Sequence, residues 1–367
     1  VSIFEAYPTI PSANIVAVVE AQASGSPTQK GQSNVEHSYY ASQVMTQEET
    51  IRRVANLRHF NNVRYGAAAY RYLQTTDFTW QPDLFDFTSF QNYPSRSADG
   101  VLLKEAESSD VFEGRYDGGG YFICDLRFGG EEENLGLFAQ VGHSGELTKI
   151  ALVDGEVTGG GKYTGALAGI NEGYIHVCYT SSTTVEGNGV VGGLAGANDG
   201  VVENCYVNFG ETTDNEFFVS IKTTMPKTQG VGGLVGSNWT NGVIRTSYVN
   251  AMLANSTQVL EEAVLSRIGG IAGINQNTAS DSIQNTVFLQ QTIYNAAKWI
   301  YAVAGDSGSP EGLTYAAMTE FDAGNFVNYP GFDPQVWIQA IADSSDPQGY
   351  PYPQLAGMKH YREWPAN

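Results

Sequence analysis

Between residues 112 and 300 the chain is a succession of short apolar runs punctuated by glycine and asparagine. Five stretches share one arrangement: LGLFAQVGHSGELTKIAL (135–152), TGALAGINEGYIHVCY (164–179), VGGLAGANDGVVENCY (191–206), VGGLVGSNWTNGVIRTSY (231–248) and IGGIAGINQNTASDSIQNTVF (268–288). Their aliphatic position falls at Leu137, Leu167, Leu194, Leu234 and Ile271, spaced by 30, 27, 40 and 37 residues. Repeats of this period mark solenoids, propellers and similar arrays. Short runs rich in Val, Ile and Tyr between Gly and Asn turns predict strands, not helices.

Each unit is predicted to hold two strands joined at a turn such as Asn198-Asp199-Gly200 or Asn171-Glu172-Gly173, where Asn and Gly tolerate a left-handed backbone. One unit cannot bury its own leucine, but stacked units can, with equivalent residues about 4.8 Å apart in internal ladders. Ile175, Val202, Ile244 and Ile283 align as an apolar column, beside a polar column of His176, Glu203, Arg245 and Gln284. Cys178, Cys205, Ser247 and Thr286 give a small-residue column, and Tyr179, Tyr206 and Tyr248 an aromatic one. The paired glycines (Gly192/Gly193, Gly232/Gly233, Gly269/Gly270) are expected where a Cβ would obstruct packing or a bend.

The pattern GGLxGxNxGxIxNCY resembles the GLUG repeat of bacterial surface and secreted proteins, found beside some IgA-cleaving proteases and in many proteins of gut bacteria. The resemblance is specific for units two to four and weaker for the first and fifth. Upstream, IRRVANLRHFNN (51–62), TTDFTW (75–80) and FEGRYDGGGYFICDLRF (112–128) resemble the lead-in to such repeats; downstream, MTEFDAGNFVNYPGFDPQVWIQ (318–339) and QGYPYPQL (348–355) resemble the closing segment. The family implies a right-handed parallel β-helix, a surface location and an adhesive role, with no catalytic residues to carry over. In the fifth unit the insert QNTASDS replaces the tight glycine turn after Asn275.

The expected fold is therefore all-β: a right-handed parallel β-helix, or β-solenoid, over 112–300, between a helix-plus-strand N-terminal cap (46–111) and a C-terminal capping segment (301–367). Residues 1–45 form a flanking segment. Thr46-Gln47-Glu48-Glu49 fits a capping box, and Ile51, Val54 and Leu57 recur every third residue, so a short amphipathic helix is predicted at about 46–60. Such caps are needed because a solenoid presents bare strand edges at both ends.

Composition narrows the function. Nineteen Lys and Arg against 39 Asp and Glu leave a net charge of −20, which repels nucleic acid and anionic membranes. No apolar run of about 18 residues predicts a membrane span, so neither nucleic-acid binding nor membrane insertion is expected. Three cysteines, Cys124, Cys178 and Cys205, do not make a disulfide scaffold. Cys178 and Cys205 occupy equivalent positions of successive units, where their Cα atoms could approach disulfide distance; stacked free thiols are the favoured reading, because strand-on-strand stacking does not favour the disulfide torsion.

Several motifs tempt a catalytic reading. GDSGSP (305–310) matches the nucleophile motif of chymotrypsin-like proteases around Ser307, but the residues before it are repeats rather than a double barrel with its own His and Asp. GNGVVG (187–192) fits a dinucleotide fingerprint only when a helix follows, and here a strand and turn follow. GGGKY (159–163) lacks the first glycine and the Ser/Thr of a phosphate loop. His37, His59, His143, His176 and His360 show no metal-ligand spacing. Asn238-Trp-Thr and Asn255-Ser-Thr are glycosylation sequons in form. Asp117, Asp125, Asp154, Glu156 and Glu203 are the carboxylates a polysaccharide lyase or glycosidase on this fold would draw on, yet the sequence places no two at catalytic separation.

The expectation is a monomeric, secreted or surface-attached module that binds a host or microbial glycan or protein without catalysis or cofactor; the alternative is a carbohydrate-active enzyme on the same scaffold. Eleven, 24 and 19 residues separate the unit aromatics Tyr179, Tyr206 and Tyr248 from the next unit. Insertions of this kind gather on one face, often the binding face. Phe217, Phe218, Met252 and Leu253 within 208–229 and 250–266 are therefore the candidate binding residues.

Overall fold

The computed structural model describes residues 50–56, 70–79, 111–159, 161–208, 230–251, 267–289, 331–338 and 353–359. It also describes 59–60, 63 and seven further short strands: Val18–Ala21, Gln29–Gln32, Ser42–Val44, Ile221–Thr223, Leu253–Asn255, Tyr301–Val303 and Tyr315–Met318.

The protein is all-β and built on parallel sheets. In the third repeat layer the chain runs through Tyr174–His176, Tyr179–Ser181, Thr184–Gly187, Val190–Gly192 and Ala195–Asn198. It then enters Val201–Glu203, which lies parallel to Tyr174–His176 with Ile175 opposite Val202. The layers between Arg115 and Asn275 repeat that order, so each strand joins the sheet holding its equivalents. Stacking gives four sheets: an isoleucine sheet of nine strands, a tyrosine sheet of eight, a valine sheet of five, and a glycine-asparagine sheet of ten that receives two strands per layer; Val18–Ala21 with Gln29–Gln32 and Trp337–Ile338 with Gln354–Leu355 form two separate antiparallel pairs. This arrangement is consistent with a β-solenoid.

The expected ladders lie inside. Leu137, Leu167, Leu194, Leu234 and Ile271 are all at most 2% exposed. The amide of Leu167 donates to the carbonyl of Leu194, Leu194 to Leu234, and Leu234 to Ile271, each at 2.9 Å. The column Ile175, Val202, Ile244, Ile283 is in register and fully buried. Cys178 and Cys205 are free, buried thiols. The two halves of the glycine-asparagine sheet approach at backbone distance: a Cβ on Gly196 would fall 2.6 Å from the Thr164 nitrogen, and one on Gly232 1.9 Å from the Val235 oxygen. That contact answers for the recurring glycines better than turn geometry does.

A ladder of amides, unforeseen in the sequence, runs through the turn. Asn171 Nδ2 donates to Asn198 Oδ1 at 2.8 Å, Asn198 Nδ2 to Asn238 Oδ1 at 2.8 Å, and Asn238 Nδ2 to Asn275 Oδ1 at 2.9 Å. Each amide also ties its turn, as Asn198 does by donating to Gly200 O and Asn238 to Gly242 O. Asn238 is fully buried, so its sequon is out of reach of a glycosylating enzyme. In the first unit Val141 stands opposite Asn171, so the ladder starts one layer later. The fifth-unit insert keeps register because Asn277 bridges back to Gly242 O and accepts from the Ala279 amide.

Both ends differ from expectation. The helix predicted at about 46–60 is not formed: Thr50–Val54 is a strand, antiparallel to Ser42–Val44 and parallel to Arg71–Gln74. Among the described residues of that segment, His59 and Phe60 alone are helical. The strand buries Val54, leaves Ile51 39% exposed and lays the Arg52 guanidinium 3.0 Å from the Tyr70 ring centroid. A waiting sheet edge satisfies five residues of backbone, which outweighs a capping-box propensity worth about 1 kcal/mol. The sheets also run past 112–300, from Ser42–Val44 to Tyr315–Met318.

Part of the C-terminal segment lies along a sheet face rather than over an end. The rings of Tyr179, Tyr206 and Tyr248 stack at 4.5 and 4.7 Å, on the outer side of the tyrosine sheet. Phe332, Trp337, Leu355 and Met358 cover them as a second apolar cluster. Tyr179 donates to Lys359 O at 2.7 Å, Tyr248 to Pro353 O at 3.0 Å, and the Trp337 indole to Asn204 Oδ1 at 3.1 Å.

Asn198→Ala strands the Asn171 amide and the Asn238 carbonyl, and is expected to cost about 2–5 kcal/mol in denaturant unfolding, comparable with Leu194→Ala. A loss of under about 0.5 kcal/mol would show that the amide ladder does not hold the layers. Trp337→Ala is expected to open 331–359 to limited proteolysis while far-ultraviolet circular dichroism of the sheets persists.

Candidate functional site: a charged strip on the isoleucine sheet

Side chains alternate across a strand, so where Ile175 or Val202 points inward its neighbours point out. Two outward columns therefore run across the isoleucine sheet. One holds Arg115, Glu146, Tyr174, Val201 and Val243; the other holds Asp117, Thr148, His176, Glu203, Arg245 and Gln284.

The charged members are linked along the strip. Arg115 Nη2 donates to Asp117 Oδ2 at 3.3 Å, and its Nε lies 3.6 Å from Glu146 Oε2. Glu146 Oε1 is 2.7 Å from His176 Nε2. The His176 ring stacks on Tyr174 at 4.2 Å, and the Tyr174 hydroxyl donates to Glu203 Oε2. Arg245 closes the series, with Nε 2.8 Å from Glu203 Oε1 as an ionic contact and the aligned hydrogen bond running from Nη2 to Oε2 at 3.3 Å. The Tyr174 phenol is held well above its usual range, first by burial and then by the Glu203 carboxylate, while Arg245 opposes the shift.

The carboxylates of this strip lie against shared partners: Asp117 and Glu146 both contact the Arg115 guanidinium, and Glu146 and Glu203 both reach side chains of Tyr174–His176. Glu146 and Glu203 stand on strands two layers apart, roughly 10 Å at the backbone. Asp117 is a further layer from Glu203. Asp125 and Asp154 occupy left-handed corners, with φ of 56° and 52°, beyond the tyrosine sheet, and exposed Glu156 lies on the valine sheet. Thus Asp117 and Glu203 share a face with each other and with none of the remaining three.

Other candidates resolve as follows. Phe217, Phe218 and Met252 lie outside the described residues, as do Ser307, His37 and His360. Leu253 is corrected: it is 4% exposed, because Leu253–Asn255 is the valine-sheet strand of its layer and Leu253 continues the buried column Val157, Val185, Ile221. Within these connections the described residues Ile221–Thr223 pair in parallel with Leu253–Asn255. GNGVVG leads into the strand Val190–Gly192, without the helix a phosphate site requires. His59 is buried and caps its own turn. Burial, then Asp125, Asp154 and Asp77, pushes the Cys124 thiol up to about 12, and burial raises Cys178 well above its usual value, so neither is an activated nucleophile. Among the described residues no cluster of three or more His, Cys, Asp or Glu could hold a metal, and no helix is long and apolar enough to cross a membrane.

The sequence had exposed the column His176, Glu203, Arg245, Gln284; it had not shown Arg115, Glu146 and Tyr174 beside it. Those three share a column with Val201 and Val243, and their alignment is readable only once strand register is known.

Comparison with solved structures finds a similar chain in the crystal structure of a "putative immunoglobulin A1 protease" from Bacteroides ovatus. The likeness covers 86% of this chain and 94% of that one, with a TM-score of 0.51 and 17% identity. At that identity it speaks for the fold alone. No family model and no curated protein matches the chain.

Buried tyrosines set an alkaline limit. Burial raises the Tyr116 phenol well above 10, as it does that of Tyr174. Their stabilising contribution is whole below the unfolded value of about 10 and is lost as pH rises from there toward the folded values. The thermal midpoint is expected to fall above pH ~10, and less steeply in Tyr116→Phe; equal slopes would refute the assignment.

Proposed function

We propose that the chain is a right-handed parallel β-helix serving as a non-catalytic extracellular binding module, an adhesin-like part of a bacterial surface or secreted protein whose ligand is a glycan or protein. The observation that carries this reading is the charged strip: an outward row of acids, bases and one stacked aromatic pair, in which every carboxylate is engaged by a neighbouring side chain. Such a row suits recognition of a polar ligand, which exchanges rim contacts without chemistry. The repeat pattern and its resemblance to GLUG units support the surface setting.

A second reading, a carbohydrate-active enzyme, draws on the close contact of His176 with Glu146 and of Tyr174 with Glu203 on one face, since acid-base catalysis needs such titratable neighbours. The two are separated by screening the whole chain against immobilised glycans, mucin and protein surfaces, beside assays for reducing-sugar release and for cleavage of immunoglobulin A1. Binding without product is expected. Product formation abolished by Glu203→Gln or His176→Ala would replace the binding reading with the enzymatic one.

A further inference from the structure

A further column follows the amide ladder at the turn into the isoleucine sheet. Its members are Glu172, Asp199, Trp239 and Gln276, fixed by backbone donation to Val141 O, Asn171 O, Asn198 O and Asn238 O, each at 2.7 Å. Three are polar and one is an indole. Trp239 is half-exposed and belongs to neither apolar cluster, so it is not there to fill the interior. Its turn, Trp239-Thr240-Asn241-Gly242, is two residues longer than Asp199-Gly200 one layer before.

That longer turn is held in shape. Asn241 donates from its backbone N to Asp199 Oδ1 and from Nδ2 to Asp199 Oδ2, both at 3.0 Å, and Gly242 N donates to Trp239 O at 3.0 Å. The held indole meets Tyr163, a half-exposed ring from the other half of the glycine-asparagine sheet, at 5.5 Å and 75°. Lys162 lies 4.8 Å from the Tyr163 centroid, with Glu133 3.8 Å from its ammonium. Two perpendicular aromatic walls thus stand beside a carboxylate, a carboxamide and an ammonium group.

We propose that Trp239 and Tyr163 form a binding site for a neutral saccharide, with Asp199, Asn241 and Lys162 serving its hydroxyl groups. A pyranose has an apolar C–H face that packs on an aromatic ring and a rim of hydroxyls that need donors and acceptors. The corner supplies both, in a preformed geometry that loses little entropy on binding. An extended peptide fits worse, because it binds through open backbone groups, and the amides of Trp239, Asn241 and Gly242 are already committed within the chain. Anionic polysaccharides are opposed by the net charge of −20. The proposal deepens the binding reading above by naming a site and a ligand class, and it rests on that reading.

The test is calorimetric titration of the whole chain with neutral gluco-, manno- and galacto-oligosaccharides, beside polygalacturonate and heparin as anionic probes. At least one neutral oligosaccharide is expected to bind. Trp239→Ala and Tyr163→Ala should each weaken it about tenfold or more, with Tyr163→Phe and the distant Glu156→Gln within about twofold. Hydroxyl-radical footprinting of the unaltered protein should show Trp239 protected by the bound sugar, which keeps the proposal testable if a variant fails to fold. Undiminished binding in both alanine variants with Trp239 unprotected would overturn the site while leaving the module reading intact. Binding of anionic polymers alone, or of no oligosaccharide, would overturn the ligand class; only silence in the mucin and protein screen as well would remove the binding module itself.

Discussion

Each layer hands the next an amide hydrogen, from Asn171 to Asn198 to Asn238 to Asn275, and that relay constrains the rest of the molecule. An amide both donates and accepts, so identical side chains can chain together at the spacing of parallel strands. Aspartate would place like charges about 5 Å apart, and an aliphatic residue would leave the turn carbonyls of Gly200 and Gly242 unserved. Because the ladder is buried, a misaligned layer would leave its amides without partners in a medium where that is costly. Slipping one residue would also turn the isoleucine column outward. Register is therefore fixed twice, once by polar and once by apolar chemistry.

In-register stacking explains what lies outside the sheets. The tyrosine rings stack at 4.5 and 4.7 Å because their strands are that far apart, not because aromatic attraction chose the distance. Three parallel rings leave a long apolar face, and the chain covers it with its own later residues. Trp337 and Phe332 bury that face, while Lys359 reaches the first layers through its amide to Gly120 O at 2.9 Å and its ammonium to Asp77 at 2.5 Å. Contacts that cross several layers tie together a stack whose units otherwise touch only their neighbours.

The same logic frees the surface. With inward columns committed to packing, outward columns vary from layer to layer without disturbing the fold. On the isoleucine sheet that freedom produces the run of charges from Arg115 to Arg245. At the turn after the asparagines it produces Trp239 where other layers have Glu172, Asp199 and Gln276. Both are departures from an otherwise repeating column on a rigid support, which is where a repeat protein carries recognition.

The sequence by itself determined the layered core. Five aliphatic positions, the isoleucine and tyrosine columns and the paired thiols were all legible, because a repeat states its internal contacts several times over and chance alignment cannot. It also held the polar column of His176 and Glu203. What it could not state was anything depending on residues far apart in the chain. The strand at Thr50–Val54 looked helical because local signals omit the sheet edge beside it. Leu253 looked exposed because a valine-sheet strand hid in a connection of irregular length. The asparagines read as turn formers, since hydrogen bonds between side chains 27 to 40 residues apart leave no local mark. Likewise, Tyr163 and Trp239 meet only because the two halves of one sheet fold face to face. Those decisions belong to tertiary structure, where long-range backbone pairing and burial outweigh propensities of about 1 kcal/mol.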